Sequence, residues 1–402
     1  LALAIGVTAC NVNDPLLTTG GMTLDAGNGS LDGGNALCPK ALVVLDTDYK
    51  STNVSLASPT GAVLSEVLIS SGTGTTGLST PLSGDVVLPL ATPPSSSVVL
   101  LDRSPSVVTW VDPATASVLA QLNVSTGFFS NPHDYLEVSP SKAYVTRYET
   151  NAQPGRMPND GGGDVLIVDH QAFAITGRID LADPTDTLFT PHPDHVILVR
   201  DQAWVVLHRY PADNFDSIGD ARVVGISIAD DSVAWTVDLP GFADCAGVAV
   251  SPSGNTVALS CSGLAGARTG VVLLDATASR PAPKGTFDVA SKLGTLPGFS
   301  LAFASETLLL GTTLGYSAKS DAAYTIDTAS GSIDPLLDGG APFVLGDVRC
   351  APGCTDLCFL ADANDAVKAL HSWKVANGAL AMHSTLSVDP SIGLAPRLLG
   401  GL

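Results

Sequence analysis

A phrase that returns at intervals of roughly fifty residues constrains this chain more than any other feature. It is an apolar strand ending in an acidic residue, a short turn of Thr, Ala, Ser or Gly, and then a second alternating strand. Four copies read "VVTWVDPATASVLAQLNV" from Val107, "DVLIVDHQAFAITGRIDL" from Asp164, "VVLLDATASRPAPKGTFDV" from Val271 and "AAYTIDTASGSIDPLLDG" from Ala322. The strand-ending positions Asp112, Asp169, Ala229, Asp275 and Asp327 stand 57, 60, 46 and 52 residues apart. A second phrase precedes several of them, as in "DYLEVSPSKAYVTRYE" from Asp134 and "GVAVSPSGNTVALSCSG" from Gly247. Two strands about a Ser-Pro turn, then two about a Thr/Ala/Ser turn, make a four-stranded meander, and meanders at this period are propeller blades.

Composition agrees with many short strands and tight turns: 40 Gly, 27 Pro and only 14% charged residues. The net charge of −20, from 39 acids against 19 bases, repels a phosphate backbone, and no basic patch offsets it, so no nucleic-acid partner is expected.

The quoted phrases resemble those of the YVTN-type bacterial propellers, whose repeat runs through an apolar strand, Ser-Pro-Asp-Gly, Tyr-Val-Thr-Asn and Val-Ile-Asp-Thr-Ala-Thr-Gly. Ala143-Tyr144-Val145-Thr146, Ser251-Pro252-Ser253-Gly254 and Ile326-Asp327-Thr328-Ala329-Ser330-Gly331 carry the likeness. It covers residues 38–402 and is degenerate, since the turn Asp is Ser in both good copies and the fourth blade has its acid one position late. The resemblance implies a fold and no single function, because such propellers include binding proteins, scaffolds and some enzymes.

The expected fold is therefore all-β, a seven-bladed propeller with blades centred near residues 55, 105, 155, 215, 265, 315 and 365; six or eight blades stay open. The first blade shows three strands and "SIGLAPRLLGGL" is an apolar strand left over at the C-terminus. Pairing the two would close the ring and remove its exposed edges.

Residues 1–9 are apolar, uncharged and too short to span a bilayer, as in the trailing part of a signal peptide. Val7-Thr8-Ala9-Cys10 resembles the bacterial lipobox, which implies lipidation at Cys10, against the alternative of a chance cysteine. Residues 10–37, rich in Gly and polar side chains, then read as a tether, and Asn11 after the cysteine favours the outer membrane, with attachment through lipid alone.

Setting Cys10 aside leaves six cysteines, an even number suited to an oxidising compartment. Cys245 and Cys261 stand eight residues either side of Ser253, so an unbulged hairpin places them opposite one another. Cys350 and Cys358 flank the turn at Pro352-Gly353, which leaves Cys354 for Cys38 near the meeting of the first and last repeats. A metal site is the rival reading, but the spacing is not that of zinc ribbons.

In such a blade the connections before strand one and between strands two and three share a face. There the long loops Thr150 to Gly163 and Pro211 to Ala221 follow Arg147-Tyr148-Glu149 and Arg209-Tyr210, which read as binding anchors or as surface packing. The same face receives "NPHD" at 131–134, "PHPDH" at 191–195 and "FADC" at 242–245. His133, Asp134, His192 and His195 are expected at the channel mouth as binding residues. Asp134, Asp194, His195, Asp244 and Asp347 could hold a divalent cation, the only cofactor considered, or could simply cap turns. No Gly-x-Ser-x-Gly, His-Glu-x-x-His or haem-attachment motif occurs. The function expected on this basis is a non-enzymatic envelope protein that binds a protein or polysaccharide partner through the long-loop face. The alternative is a metal-dependent or lactonase-like enzyme, or a redox subunit, acting at the channel mouth.

Overall fold

The acid that ends the third strand of most repeats is there to cap the turn behind it. Asp112 accepts the N–H of Ala114, Asp169 those of Gln171 and Ala172, Asp275 that of Thr277 and Asp327 that of Ala329, each at 2.9 Å. A short carboxylate that satisfies its own turn in this way is why the residue recurs. The first Ser of each Ser-Pro turn does the same for the other hairpin. Ser139 accepts from Lys142 N at 3.0 Å and Ser251 from Thr256 N at 3.2 Å.

The computed structural model describes residues 38–402 apart from 73–76, 213, 216, 264–267, 316–318, 377 and 389–390. Cys10, the lipobox and the proposed tether lie outside the described residues. Among the described residues, 28 strands form seven four-stranded antiparallel sheets arranged as a seven-bladed propeller. The innermost strands are Val86–Val87, Pro132–Glu137, Pro193–Val199, Cys245–Val250, Leu296–Phe303, Leu345–Cys350 and Pro396–Gly401. The last of these pairs antiparallel with Leu42–Thr47, with Leu42 opposite Gly401 and Val44 opposite Leu399, so the C-terminal strand closes the ring through blade 1.

The core lies between successive blades. Trp204, Val206 and Val223 of blade 4 pack against Val248, Leu259 and Val272 of blade 5, all nearly inaccessible to water. Middle strands are therefore apolar on both faces, as Val107–Asp112 is, whereas the outer strand Ser117–Asn123 alternates between partly buried and exposed positions. Gly225, opposite Trp235 on the neighbouring outer strand, leaves the indole room to lie across the sheet: a Cβ there would come within 2.1 Å of Trp235 Cε2. Gly225→Ala is expected to cost about 2 kcal/mol by displacing that ring, measurable by urea denaturation.

All three expected disulfides form: Cys38–Cys354, Cys245–Cys261 and Cys350–Cys358. One geometric detail differs. The hairpin carrying Cys245 and Cys261 is bulged between Cys245 and Gly247, and that bulge brings the two cysteines opposite each other although the rest of the hairpin is one residue out of the assumed register. One short helix occurs among the described residues, Val289–Leu293, capped by Asp288, and none is long and apolar enough to cross a membrane.

Candidate functional site

Blades 3 and 4 enter their inner strands with nearly the same tetrapeptide, but with two residues exchanged. Blade 3 reads Asn131-Pro132-His133-Asp134 and blade 4 reads His192-Pro193-Asp194-His195. Asn131 and His192 take positive φ values of 50° and 47°, and Asp244 takes 52° where blade 5 enters its inner strand. The left-handed turn is uncommon for residues other than glycine and recurs where each of these three inner strands begins.

Equivalent positions on the two neighbouring strands then meet, and the exchange makes each meeting complementary. His133 Nδ1 lies 2.6 Å from Asp194 Oδ1, and His195 Nδ1 lies 3.1 Å from Asp134 Oδ2. Thr146, on the second strand of blade 3, locks the pair of strands together. Its hydroxyl donates to the carbonyl of Asp194 at 2.7 Å and accepts the N–H of Asp134 at 2.9 Å.

Asp194 is the centre of the array. Besides His133, its other oxygen faces His208 Nε2 at 3.3 Å and His195 Nε2 at 3.9 Å. Three imidazoles thus surround one carboxylate whose side chain is 7% exposed. Burial by itself would raise its pKa, yet the imidazoles of His195 and His208 outweigh burial and hold Asp194 well below the usual carboxylate range. The array extends to blade 5: His208 Nδ1 lies 3.5 Å from Asp244 Oδ1, which also accepts from the Tyr210 hydroxyl at 3.2 Å, and Ser262 donates to the other Asp244 oxygen.

The three imidazoles are not alike. Burial depresses His133, and Asp194 only partly restores it, so the ring is neutral near pH 7. Its Nδ1–H is turned to Asp194, and its Nε2 has no hydrogen bond among the described residues. His195 is penalised by burial too, but Asp194 and Asp134 together push it up to about 9. His208 is raised in the same manner by Asp194 and Asp244. Side by side stand a neutral imidazole with a free lone pair and an imidazolium with a proton to give, the division of labour that acid–base chemistry needs.

Aromatic rings wall the array. Tyr148 stacks on His133 with centroids 4.3 Å apart and planes 14° from parallel, and it meets His192 at 4.7 Å. His192 is a neutral wall residue: burial, then the nearby His208, drive it down to about 4. Phe215 packs on Tyr210 at 4.9 Å while remaining half exposed.

The expected site residues divide accordingly. His133, Asp134, His192, Asp194, His195, Tyr148, Tyr210 and Asp244 come together. Arg147 does not join them: it is fully buried, bonded to Asp164 at 2.7 and 2.8 Å. Arg209 pairs with Asp186 against the Phe189 ring, and the Glu149 carboxylate is held by Asn131 Nδ2 at 3.3 Å. The two Arg-Tyr pairs are not structural equivalents, because Tyr148 corresponds in the blade to His208. Tyr148 N donates to the carbonyl of Asn131 and His208 N to that of His192.

His208 itself was missed, and its signal was its place directly opposite His192 in the blade hairpin. Asp347 accepts from Leu399 N at 3.1 Å at the seam of blades 7 and 1, away from the array. The cation site expected of Asp134, Asp194, His195, Asp244 and Asp347 is not assembled: among the described residues no three His, Cys, Asp or Glu side chains stand as a metal-binding group. The physical reason is that imidazole and backbone N–H groups already occupy the carboxylates; Asp134, for instance, accepts from Leu90, Tyr135 and Val196.

No protein-family model and no curated protein matches the sequence. Solved structures similar to it include a protein from Lactobacillus plantarum, at 12% identity and a TM-score of 0.59, covering 90% of this chain and 99% of that one. Another is the periplasmic gluconolactonase of Pseudomonas aeruginosa, at 15% identity and a TM-score of 0.55, covering 90% and 98%. A candidate 6-phosphogluconolactonase from Bacteroides fragilis, at 12% identity and 0.53, covers 90% and 98%. At such identities the likeness is one of fold. It nevertheless corrects the expectation of a non-enzymatic envelope binding or scaffold protein. Two of these three propellers are named for lactone hydrolysis and none as a scaffold, while Arg147 and Arg209, the anchors assumed for a partner, are consumed inside the protein.

Proposed function

We propose that this chain is a lactone-type ester hydrolase whose reaction takes place at the channel mouth between blades 3 and 4. The observation that carries the reading is the split between His133 and His195 about the shared Asp194 carboxylate. Asp194 holds the His133 Nδ1–H, so Nε2 can take a proton from a water molecule as its oxygen attacks the lactone carbonyl. The ring C–O bond then breaks, and the departing alkoxide takes a proton from the His195 imidazolium at Nε2. The product is a hydroxy acid, and before the next turnover His133 gives up the proton it gained and His195 regains the one it lost, both through solvent. The names of the lactonase propellers favour a cyclic ester over other carbonyl substrates. Three disulfides support an oxidising compartment, where cysteines stay paired.

The test is titration of acid release from glucono-δ-lactone with the spontaneous rate subtracted. Saturable acceleration is expected, holding through neutral pH and falling as pH rises through about 9, where His195 loses its proton. Acid release at the spontaneous rate over that whole range would refute the reading.

A further inference from the structure

Between the segment that enters blade 3 and the long loop of that blade lies a cavity of about 460 Å³, within the range of about 300–1,000 Å³ usual for small-ligand sites. The reaction described above does not use it. Its walls are the segment entering blade 3, with Phe128 and Phe129, and the long loop after Glu149, with Gln153, Arg156 and Met157. Both walls are pinned from below by the buried Arg147. Its guanidinium donates to the Val124 carbonyl at 3.2 Å and the Thr126 hydroxyl at 2.6 Å on one side, and to the Asn159 carbonyl at 2.6 Å on the other. Asp160 stiffens the loop by accepting the N–H groups of Gly155, Arg156 and Met157 at 2.8–2.9 Å. A cavity formed this way is built before any ligand arrives, which lowers the ordering cost of binding.

The lining is chemically mixed. Phe129 is 56% exposed and Met157 51%, in a chain that otherwise buries most of its large apolar side chains. Planar polar groups stand among them: the Glu149 carboxylate, one oxygen of which is held by Asn131 Nδ2 at 3.3 Å, and the Gln153 amide, whose oxygen accepts from the Arg156 guanidinium. An open aromatic face ringed by carboxylate, amide and guanidinium suits a pyranose, whose C–H face is apolar and whose hydroxyls need both donors and acceptors. The cavity also adjoins the reacting groups. Glu149 follows Tyr148, which stacks on His133, and Asn131, which holds the Glu149 carboxylate, stands two residues before His133.

We infer that this cavity is a glycosyl subsite, so that the substrate is an aldonolactone still carrying a sugar residue, with the lactone ring at His133 and the glycosyl ring against Phe129. The inference deepens the hydrolase reading and rests on it for the lactone, but the sugar site can be measured alone. The experiment compares kcat/KM for cellobiono-δ-lactone and glucono-δ-lactone in the wild type and in Phe129→Ala, and follows cellobiose binding to both proteins by calorimetry. Expected are a preference for the disaccharide lactone in the wild type, a fall in that preference of roughly tenfold in Phe129→Ala through KM, and weaker cellobiose binding in the variant. Hydrolysis of both lactones without preference, or a preference untouched by Phe129→Ala, would overturn the subsite and leave the hydrolase standing. If neither lactone is turned over, the hydrolase reading fails, and cellobiose binding then decides the subsite: binding weakened by Phe129→Ala supports it, and no binding overturns it. Because Phe129 is exposed, its loss leaves the fold intact.

Discussion

Asp194→Asn is expected to lower kcat for lactone hydrolysis by roughly three orders of magnitude while the protein stays folded. The amide is nearly the same size as the carboxylate, but it cannot hold the His133 Nδ1–H with a full negative charge. Where its NH₂ group faces the ring, it forces the other tautomer and removes the Nε2 lone pair. The same change strips His195 and His208 of the counter-charge that favours their protonated forms, since Asp194 is the largest charge raising each. Two measurements check this. The kcat of the variant should collapse with little change in KM, and the His195 ring, followed by NMR, should titrate well below its wild-type value of about 9. An unchanged kcat in a folded variant whose histidines had moved would show that the array is structural, with the chemistry elsewhere.

The second large effect is on stability against pH, and its two flanks have opposite causes. His195 is raised in the folded chain from 6.5 to about 9, so folding favours its protonated form. That stabilisation is complete below pH 6.5 and disappears as pH climbs through about 9. His192 is lowered from 6.5 to about 4, so folding favours its neutral form; its contribution is complete above pH 6.5 and is lost as pH falls through about 4. Asp194, depressed below 3.8, adds to the loss on the acid side. Each histidine shift corresponds to something on the order of 3 kcal/mol, and the His195 side chain, 23% exposed, is sheltered enough for most of it to be felt. Urea midpoints from pH 4 to pH 10 should therefore trace a dome with its crest near neutrality. His195→Gln should reduce the alkaline loss and leave the His192 part of the acid side in place; an alkaline loss unchanged in this variant would assign it to other groups, His208 among them.

Much of this was legible before any coordinates. The recurring Asp of each third strand and the Ser-Pro turns are local devices whose bonds reach only two to five residues, so their spacing alone announced the blades. The Cys245–Cys261 disulfide was legible for a related reason, since a hairpin opposes residues equidistant from its turn, though the bulge at Cys245 escaped notice; Cys38–Cys354 was reached only by elimination. The reading failed where it treated similar words as equivalent positions. Arg147-Tyr148 and Arg209-Tyr210 look alike, yet a two-residue difference in where they fall on their strands buries Arg147 under the sheet and puts His208, not Arg209, beside Asp194. A two-residue offset keeps a side chain on the same face of its strand but moves it about 7 Å along it, so the two arginines meet different neighbours.

The sequence by itself determined the propeller class, the antiparallel meander within each repeat and the Cys245–Cys261 link, because these follow from short-range turn chemistry and periodic burial; the closing of the ring at seven blades was decided by the tertiary structure. Only the tertiary structure decided that His-Asp in one blade would meet Asp-His in the next, 61 residues away. That meeting depends on the heights at which neighbouring inner strands are packed together, and no local interaction sets those heights; they are fixed by the closing of the ring and the packing between blades.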